Sequence, residues 1–296
     1  MSISTSPSTG RMYGLKRVCS IWSVARSTIY AMRQRRDEER PKRKRGPKTD
    51  LSDENLLEAI RTVIKESPFY GEGHGKIYAR LRRDHDIKVS PKRVLRLMRE
   101  YHLLSPHRVS KGQPKRHDGR ITTDIPRDMW GTDATKVLTV DDGWVWFFGF
   151  IEHWNAECVG WHVCKRGDRF AAIEAFRNAV RTEYGSIKKG IARGLSLRPD
   201  HGSQFTSEGF RQETKYFGAC LSFSFVGEPE TNGVVERFHR TLKEQVIYGR
   251  TYRNVKELRE AIQKFIELYN EEWLLKKLGY KSPREARRDW EAKNVA

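Results

Sequence analysis

Cysteine is scarce in this chain, with four in 296 residues (Cys19, Cys158, Cys164 and Cys220), no Cys-x-x-Cys pair and no His/Cys zinc-ligand spacing. That excludes a disulfide scaffold and leaves buried or half-buried reduced thiols. No apolar run is long enough to span a bilayer. The N-terminal "MSISTSPSTGRMYG" also lacks the apolar segment of a secretion signal. The expectation is a cytoplasmic chain without a membrane partner. Acids are the other shortage: 38 Asp and Glu against 57 Lys and Arg, a net charge of +19. Residues 1–120 hold 29 basic and 13 acidic side chains (+16), and the remainder 28 and 25 (+3). A basic front section and a near-neutral rear section imply different jobs, the first being an electrostatic grip on phosphates.

The front section reads as helical. Residues 1–40 contain two short helices, with Leu15, Val18 and Trp22 at i, i+3 and i+7. "SVARSTIYAMRQRR" then places Arg26 and Arg33 outside, as in a helix-turn-helix or in any basic helical hairpin. Residues 41–51 are a charge-dense linker. Residues 52–104 form a second helical unit of helix-turn-helix type. Ser90-Pro91 starts a helix whose Val94, Leu97, Met98 and Tyr101 make one stripe. Lys92, Arg93, Arg96 and Arg99 take its other faces, either as DNA contacts or as a solvated surface. Residues 105–126 are a second linker. From 127 to 250 the period changes: a three-strand meander, then helix, strand, helix, strand, helix. This is an α/β domain with a mixed five-stranded sheet flanked by helices. Residues 251–296 are a helical extension with Leu258, Ile262, Phe265 and Tyr269 inward. Trp130, Trp144, Trp146 and Trp161 are expected in the core or packed on the sheet.

Against the shortage of acids, three stand in distinctive strings: Asp133 in "WGTDATKV", Asp200 in "LRPDHGSQFTS" and Glu236 in "PETNGVVERFHRTLKEQ", the last two 35 intervening residues apart. Asp133 falls mid-strand, Asp200 just past the fourth strand, and Glu236 in the first turns of a helix launched at Asn232-Gly233. If strands one and four are neighbours, the two aspartates converge and the helix brings Glu236 onto them. Clustered carboxylates repel unless cations neutralise them, and hard oxygen ligands select Mg²⁺ or Mn²⁺. Two such ions per active site would activate a water or a 3′-hydroxyl. Glu236, His239, Arg240 and Lys243 fall at i, i+3, i+4 and i+7, a face that suits DNA contact or a plain salt-bridge row. Gln204 is placed to hold a phosphate or base, and Gly202 to admit close backbone approach. Metal-activated water needs neither His201 nor His239 as a base.

These three segments resemble the catalytic core of DDE transposases and retroviral integrases. Most closely they resemble the second-frame (OrfB) product of bacterial insertion sequences of the IS-three family. "YGEGHGKIYARL", "SPKRVLRLMREYHLL" and "GYKSPREA" extend the likeness over nearly the whole chain. The resemblance implies an RNase H-like fold, Asp133, Asp200 and Glu236 as catalytic metal ligands, and Lys243 as a DNA contact. It further implies metal-dependent cleavage at element ends and strand transfer into target DNA. Its partners would be double-stranded DNA, further copies of the chain assembled on DNA in the nucleoid, and a first-frame (OrfA) protein or fusion. Two features depart from the pattern: "FIEHWNAE" has Glu152 where Asp is usual and Ala156 near where Arg is usual, and "NEEWLLKKLGY" lacks the usual Arg-x-His. The rival readings are a non-catalytic, sequence-specific DNA-binding protein and an RNase H-type nuclease.

Overall fold

A computed structural model describes residues 4–37, 51–106, 122–223 and 232–294. Most of both expected linkers, 41–51 and 105–126, and the end of the expected fifth strand lie outside these residues. The backbone divides into two compact units, Met1–Ser52 and Asp53–Ala296.

The first unit holds α1 (Leu15–Ile21) and α2 (Arg26–Asp37). Cys19 is buried between them, while Trp22 sits at the C-cap of α1 and is exposed. Ser23, at φ 51°, turns the chain between the two helices. Arg26 and Arg33 are both exposed and lie seven residues apart, on one face of α2.

The second unit starts with α3 (Asp53–Glu66), α4 (His74–Asp84) and α5 (Pro91–Glu100). Leu56, Ile60, Ile77, Leu81, Val94 and Met98 form the buried seam between them. Ser90 caps α5, its hydroxyl accepting from the Arg93 amide (3.3 Å). Arg93 and Arg96 turn back on Asp53 in the first turn of α3, at 2.8 and 2.6 Å. They tie α5 to α3, leaving Lys92 and Arg99 exposed on the remaining faces.

The sheet follows: β1 (Met129–Thr139), β2 (Gly143–Glu152), β3 (Cys158–Cys164), β4 (Ser196–Arg198) and β5 (Cys220–Leu221), in spatial order β3-β2-β1-β4-β5. The first three are antiparallel, and β4 pairs in parallel with both β1 and β5. This is the mixed sheet of an RNase H-like domain. Side chains alternate along each strand. Trp130, Phe148 and Phe150 face α6 (Arg169–Tyr184), α7 (Ser203–Thr206) and α8 (Glu208–Phe217). Val137, Val145, Phe147 and Ile151 face α9 (Gly233–Leu242) and α10 (Val255–Glu272). Asp168 caps α6 and Asn254 caps α10 through side-chain oxygens. α11 (Pro283–Asn294) closes the chain. Trp130 is fully buried as expected; Trp144 is not, being 59 % exposed near the β1–β2 turn, where it pairs across the strands with Leu138.

The α3–α5 helices and the C-terminal helices join the sheet's core directly. Phe69 packs edge-on against Trp273 (4.8 Å) within the α9/α10 cluster, and Lys76 lies over the same indole. Glu72 pairs with Arg80 (2.7 Å), both largely buried. Leu258, Ile262, Phe265 and Tyr269 all point inward.

The two arginines, Arg96 first and then Arg93, hold the Asp53 carboxyl below its ordinary value of 3.8. A depressed carboxylate stabilises the fold above its unfolded pKa, and the gain is lost as pH falls through the lower folded value. The pair is partly exposed, so Asp53→Ala is expected to cost about 1 kcal/mol at neutral pH and lower Tm by about 2–4 °C. Thermal melts should show the difference closing below the unfolded pKa.

Candidate functional site

The site forms where α9 crosses β1. Gly131, Asp133, Thr135 and Val137 share the face of β1 that looks at α9. A Cβ on Gly131 would stand 2.5 Å from Val235 Cγ2, 2.8 Å from Asn232 Oδ1 and 2.9 Å from His153 Nε2. Only glycine lets the helix come this close. Asn232, at the helix N-cap, does not cap with its side chain; its amide donates instead to the Thr132 carbonyl (3.2 Å), pinning the start of α9 to β1.

Asp133 pairs across the sheet with Gly149, which again lacks a side chain where the His239 ring approaches. One Asp133 carboxylate oxygen accepts from the Ala134 amide (2.7 Å), and the other lies 3.5 Å from His239 Nδ1. The β1–β4 ladder sets Gly131 opposite Arg198, and the same offset of 67 residues carries Asp133 to the level of Asp200. Asp200 accepts from the Gly202 amide (2.9 Å). Burial pushes its pKa up, the Gly202 amide opposes this, and the charge of Asp133 pushes it up further. The structure therefore brings these two acids together. The Gln204 amide folds back over Gly202 beside Asp200, where a Cβ on Gly202 would meet both side chains.

Glu236 is exposed, in the first turn of α9. Among the described residues, no three His, Cys, Asp or Glu side chains are grouped to hold a metal ion. Glu236 lies one residue past Val235, which touches the Gly131 position, and one helical turn before His239. Side chains at i and i+3 are about 5–6 Å apart at Cβ, which puts Glu236 beside His239 on one side of α9. Two partly exposed carboxylates that repel each other, with His201 and the Gly202 amide offsetting part of the effect at Asp200, fit a hard divalent cation.

The helical face from Glu236 onward is split. His239 is buried against Phe147 and turned to Asp133, whereas Arg240 is exposed. Lys243 is half-buried, at the start of a π turn over Lys243–Ile247 that breaks the 3.6-residue period. Arg240 approaches Glu244 at 4.0 Å.

Four residues around the acids escape sequence reasoning: Gly131, Asn232, His153 and Arg198. Only Gly131, an isolated glycine within a strand pattern, carried a readable signal of close approach. Beside them Glu152, fully buried, accepts from the Arg127 amide (2.7 Å), the Trp130 indole (3.1 Å) and the Trp154 amide (3.2 Å). Burial nevertheless pushes its pKa from 4.5 to about 7. Burial also lowers His153 to about 4, with Lys277 and Arg198 adding to the effect.

A family model described as "Integrase core domain" matches residues 218–283, and one described as "HTH-like domain" matches residues 51–111. The chain is 26% identical over 293 residues to the transposase for insertion sequence element IS629 of Shigella sonnei, covering 95% of this chain and 93% of that protein. It is 27% identical over 286 residues to transposase InsD of insertion element IS2A/D/F/H/I/K from Escherichia coli (93% and 91%). It also matches a 48.2 kDa protein of insertion element IS2A from the same species, at 27% identity, and spans 66% of that protein's length. Among solved structures it is similar to the catalytic core domain of BIV integrase, with 18% identity, a TM-score of 0.42, and coverage of 57% of this chain and 99% of that one. The HTLV-2 integrase catalytic core in complex with magnesium gives 17%, 0.42, and 55% and 97%.

Two substitutions test the geometry. Gly131→Ala forces a methyl into the β1–α9 contact and is expected to cost about 1–3 kcal/mol, read by chemical denaturation. For Glu152, a raised folded pKa means the folded state holds the proton more tightly. Its contribution is present below pH 4.5 and lost as pH rises to about 7, on the order of 3 kcal/mol across that window. The Tm difference between the parent chain and Glu152→Gln should therefore change with pH between these limits and be flat above them.

Proposed function

We propose that this chain, a homologue of the insertion-sequence transposases with an integrase core and an HTH-like domain, is a DNA transposase. It cleaves at the ends of its element and joins the freed 3′ end to target DNA. The observation that carries this reading is the convergence of Asp133 and Asp200 at one level of the sheet, under the helix that bears Glu236. Divalent cations, Mg²⁺ or Mn²⁺, two per site, supply charge neutralisation and activate water or the 3′-hydroxyl when bound there.

The chain's own residues do the rest. β1 fixes Asp133, and the Gly202 amide fixes Asp200. His239, buried beside Asp133, holds that carboxylate in place from below. Glu236 completes the ligand set by turning inward from α9, and Gln204 steadies a phosphate or base beside Asp200. Both chemical steps are in-line displacements at phosphorus: water attacks first, and the released 3′-hydroxyl attacks second. No covalent link to the protein forms. Lys243 and Arg240, with Arg26, Arg33, Lys92 and Arg99 on the N-terminal helices, grip duplex phosphates. The ion pairs with Asp53 make Arg93 and Arg96 supports for the helix that presents Lys92 and Arg99. Two element ends must meet, so the working form is an oligomer assembled on DNA, with a first-frame protein or fusion contributing end recognition.

Purified chain with Mn²⁺ and oligonucleotides carrying element ends tests this. Asp133→Asn should lower cleavage by more than about a hundredfold, the effect of losing about 3 kcal/mol of charge stabilisation, while duplex binding persists. The exposed placement of Glu236 favours a second reading: a DNA-binding protein that does not cut. Binding without cleavage under both metals, with the first-frame partner present, would establish that reading and reject the first.

A further inference from the structure

Among the described residues, no carboxylate pairs with Arg198, a buried positive charge. It ends β4, two residues before Asp200, and is 6 % exposed. Its Nη2 donates to the Ser222 hydroxyl (3.0 Å), and its Nε and Nη1 meet no acceptor. A guanidinium stays protonated in proteins, and folded chains avoid such a charge in the interior unless something of opposite sign joins it.

A second buried group lies at the same level. His153 is also 6 % exposed, and neither ring nitrogen has a partner among the described residues. Its Nε2 sits over Gly131, the residue that pairs with Arg198 across the β1–β4 ladder. The surroundings are cationic. Lys277 donates to the His153 carbonyl (2.9 Å) and is itself so buried that its pKa falls to about 8. The nearby acid, Glu152, is already engaged by three N–H donors. Asp200 follows Arg198 by two residues, just past the end of β4, so at most about 7 Å of chain separates the cationic level from the acid pair. Asp200 is half-exposed, so solvent reaches this part of the sheet.

We infer that Arg198 and His153 form a buried anion subsite that takes a phosphodiester of the bound DNA strand, adjacent to the one presented to Asp133 and Asp200. This rests on the nucleic-acid reading given above and adds to it a residue-level grip on the strand. A phosphate supplies the missing negative charge and accepts from the two unpartnered guanidinium nitrogens and from the imidazole N–H. The acid level and the cation level then hold successive phosphates of one strand, which fixes its register at the cutting position.

The test uses the full chain and Arg198→Met, an apolar replacement of similar length. Without added anion, Arg198→Met should melt at or above the parent Tm. Inorganic phosphate, compared with chloride at equal ionic strength, should raise the parent Tm by ligand linkage; the variant should lose at least half of that rise, and Arg198→Lys should keep it. Binding of an element-end duplex should weaken about tenfold in Arg198→Met, with the slope of log affinity against log salt reduced by about one. An unchanged phosphate response overturns the subsite. So does a variant that no longer folds, because an uncompensated cation should leave without such a cost. A lost phosphate response with unchanged duplex binding makes free phosphate the ligand and overturns the DNA assignment. Neither readout needs cleavage, so a chain that binds DNA but never cuts it still decides the question.

Discussion

The close approach of α9 to β1 at Gly131 is the constraint on which the site depends. The two backbones meet where one side chain is missing, and the neighbours that fill that space are Val235, Asn232 and His153. From this one contact follow the pinning of the helix start to Thr132, the descent of His239 onto Asp133, and the position of Glu236 one turn earlier. Any larger residue at position 131 would lift the whole helix, and the third acid with it.

The sheet supplies the other half of the geometry. A parallel β1–β4 pair places the end of β4 beside Gly131, near the start of β1, so two acids 67 residues apart in sequence reach one level without any unusual backbone. β4 need be only three residues long, because it is held on one side by β1 and on the other by β5. Both sheet faces are covered, by α6–α8 on one and α9–α10 on the other. The acids therefore sit at the rim of a dry slab, where a carboxylate is costly to ionise alone and responsive to a cation.

Much of this was legible beforehand. The unbroken apolar run "WVWFFGFI" in the second strand of the meander is that of a buried strand, and the strings around Asp133, Asp200 and Glu236 placed each acid on its element. The inward row of α10 followed from its period. Other features were not legible, because they depend on what lies across a gap in space. Nothing local says that Arg93 and Arg96 turn to Asp53, that His239 points inward while Arg240 points out, or that Asn232 bonds to a strand 100 residues away. Trp144 shows the reverse error: a large aromatic in a strand pattern suggested the core, but it falls near the turn, where the slab has ended. The buried pair Arg198 and His153 was invisible because burial of a polar side chain cannot be read from one sequence.

A last feature concerns how the parts speak to each other. Gln245, within the π turn that continues α9, uses its side-chain amide as a strand would use its backbone: it accepts from the Tyr70 amide (2.9 Å) and donates to the Tyr70 carbonyl (2.7 Å). Tyr70 belongs to the loop between α3 and α4, ahead of the sheet in the same compact unit. The helix bearing Glu236 is thus latched to that loop by a two-pronged clasp and not merely tethered by chain. Because both bonds end on one residue, the π turn and the α3–α4 loop keep a fixed spacing, and the helix cannot shift along its axis without drawing that loop with it.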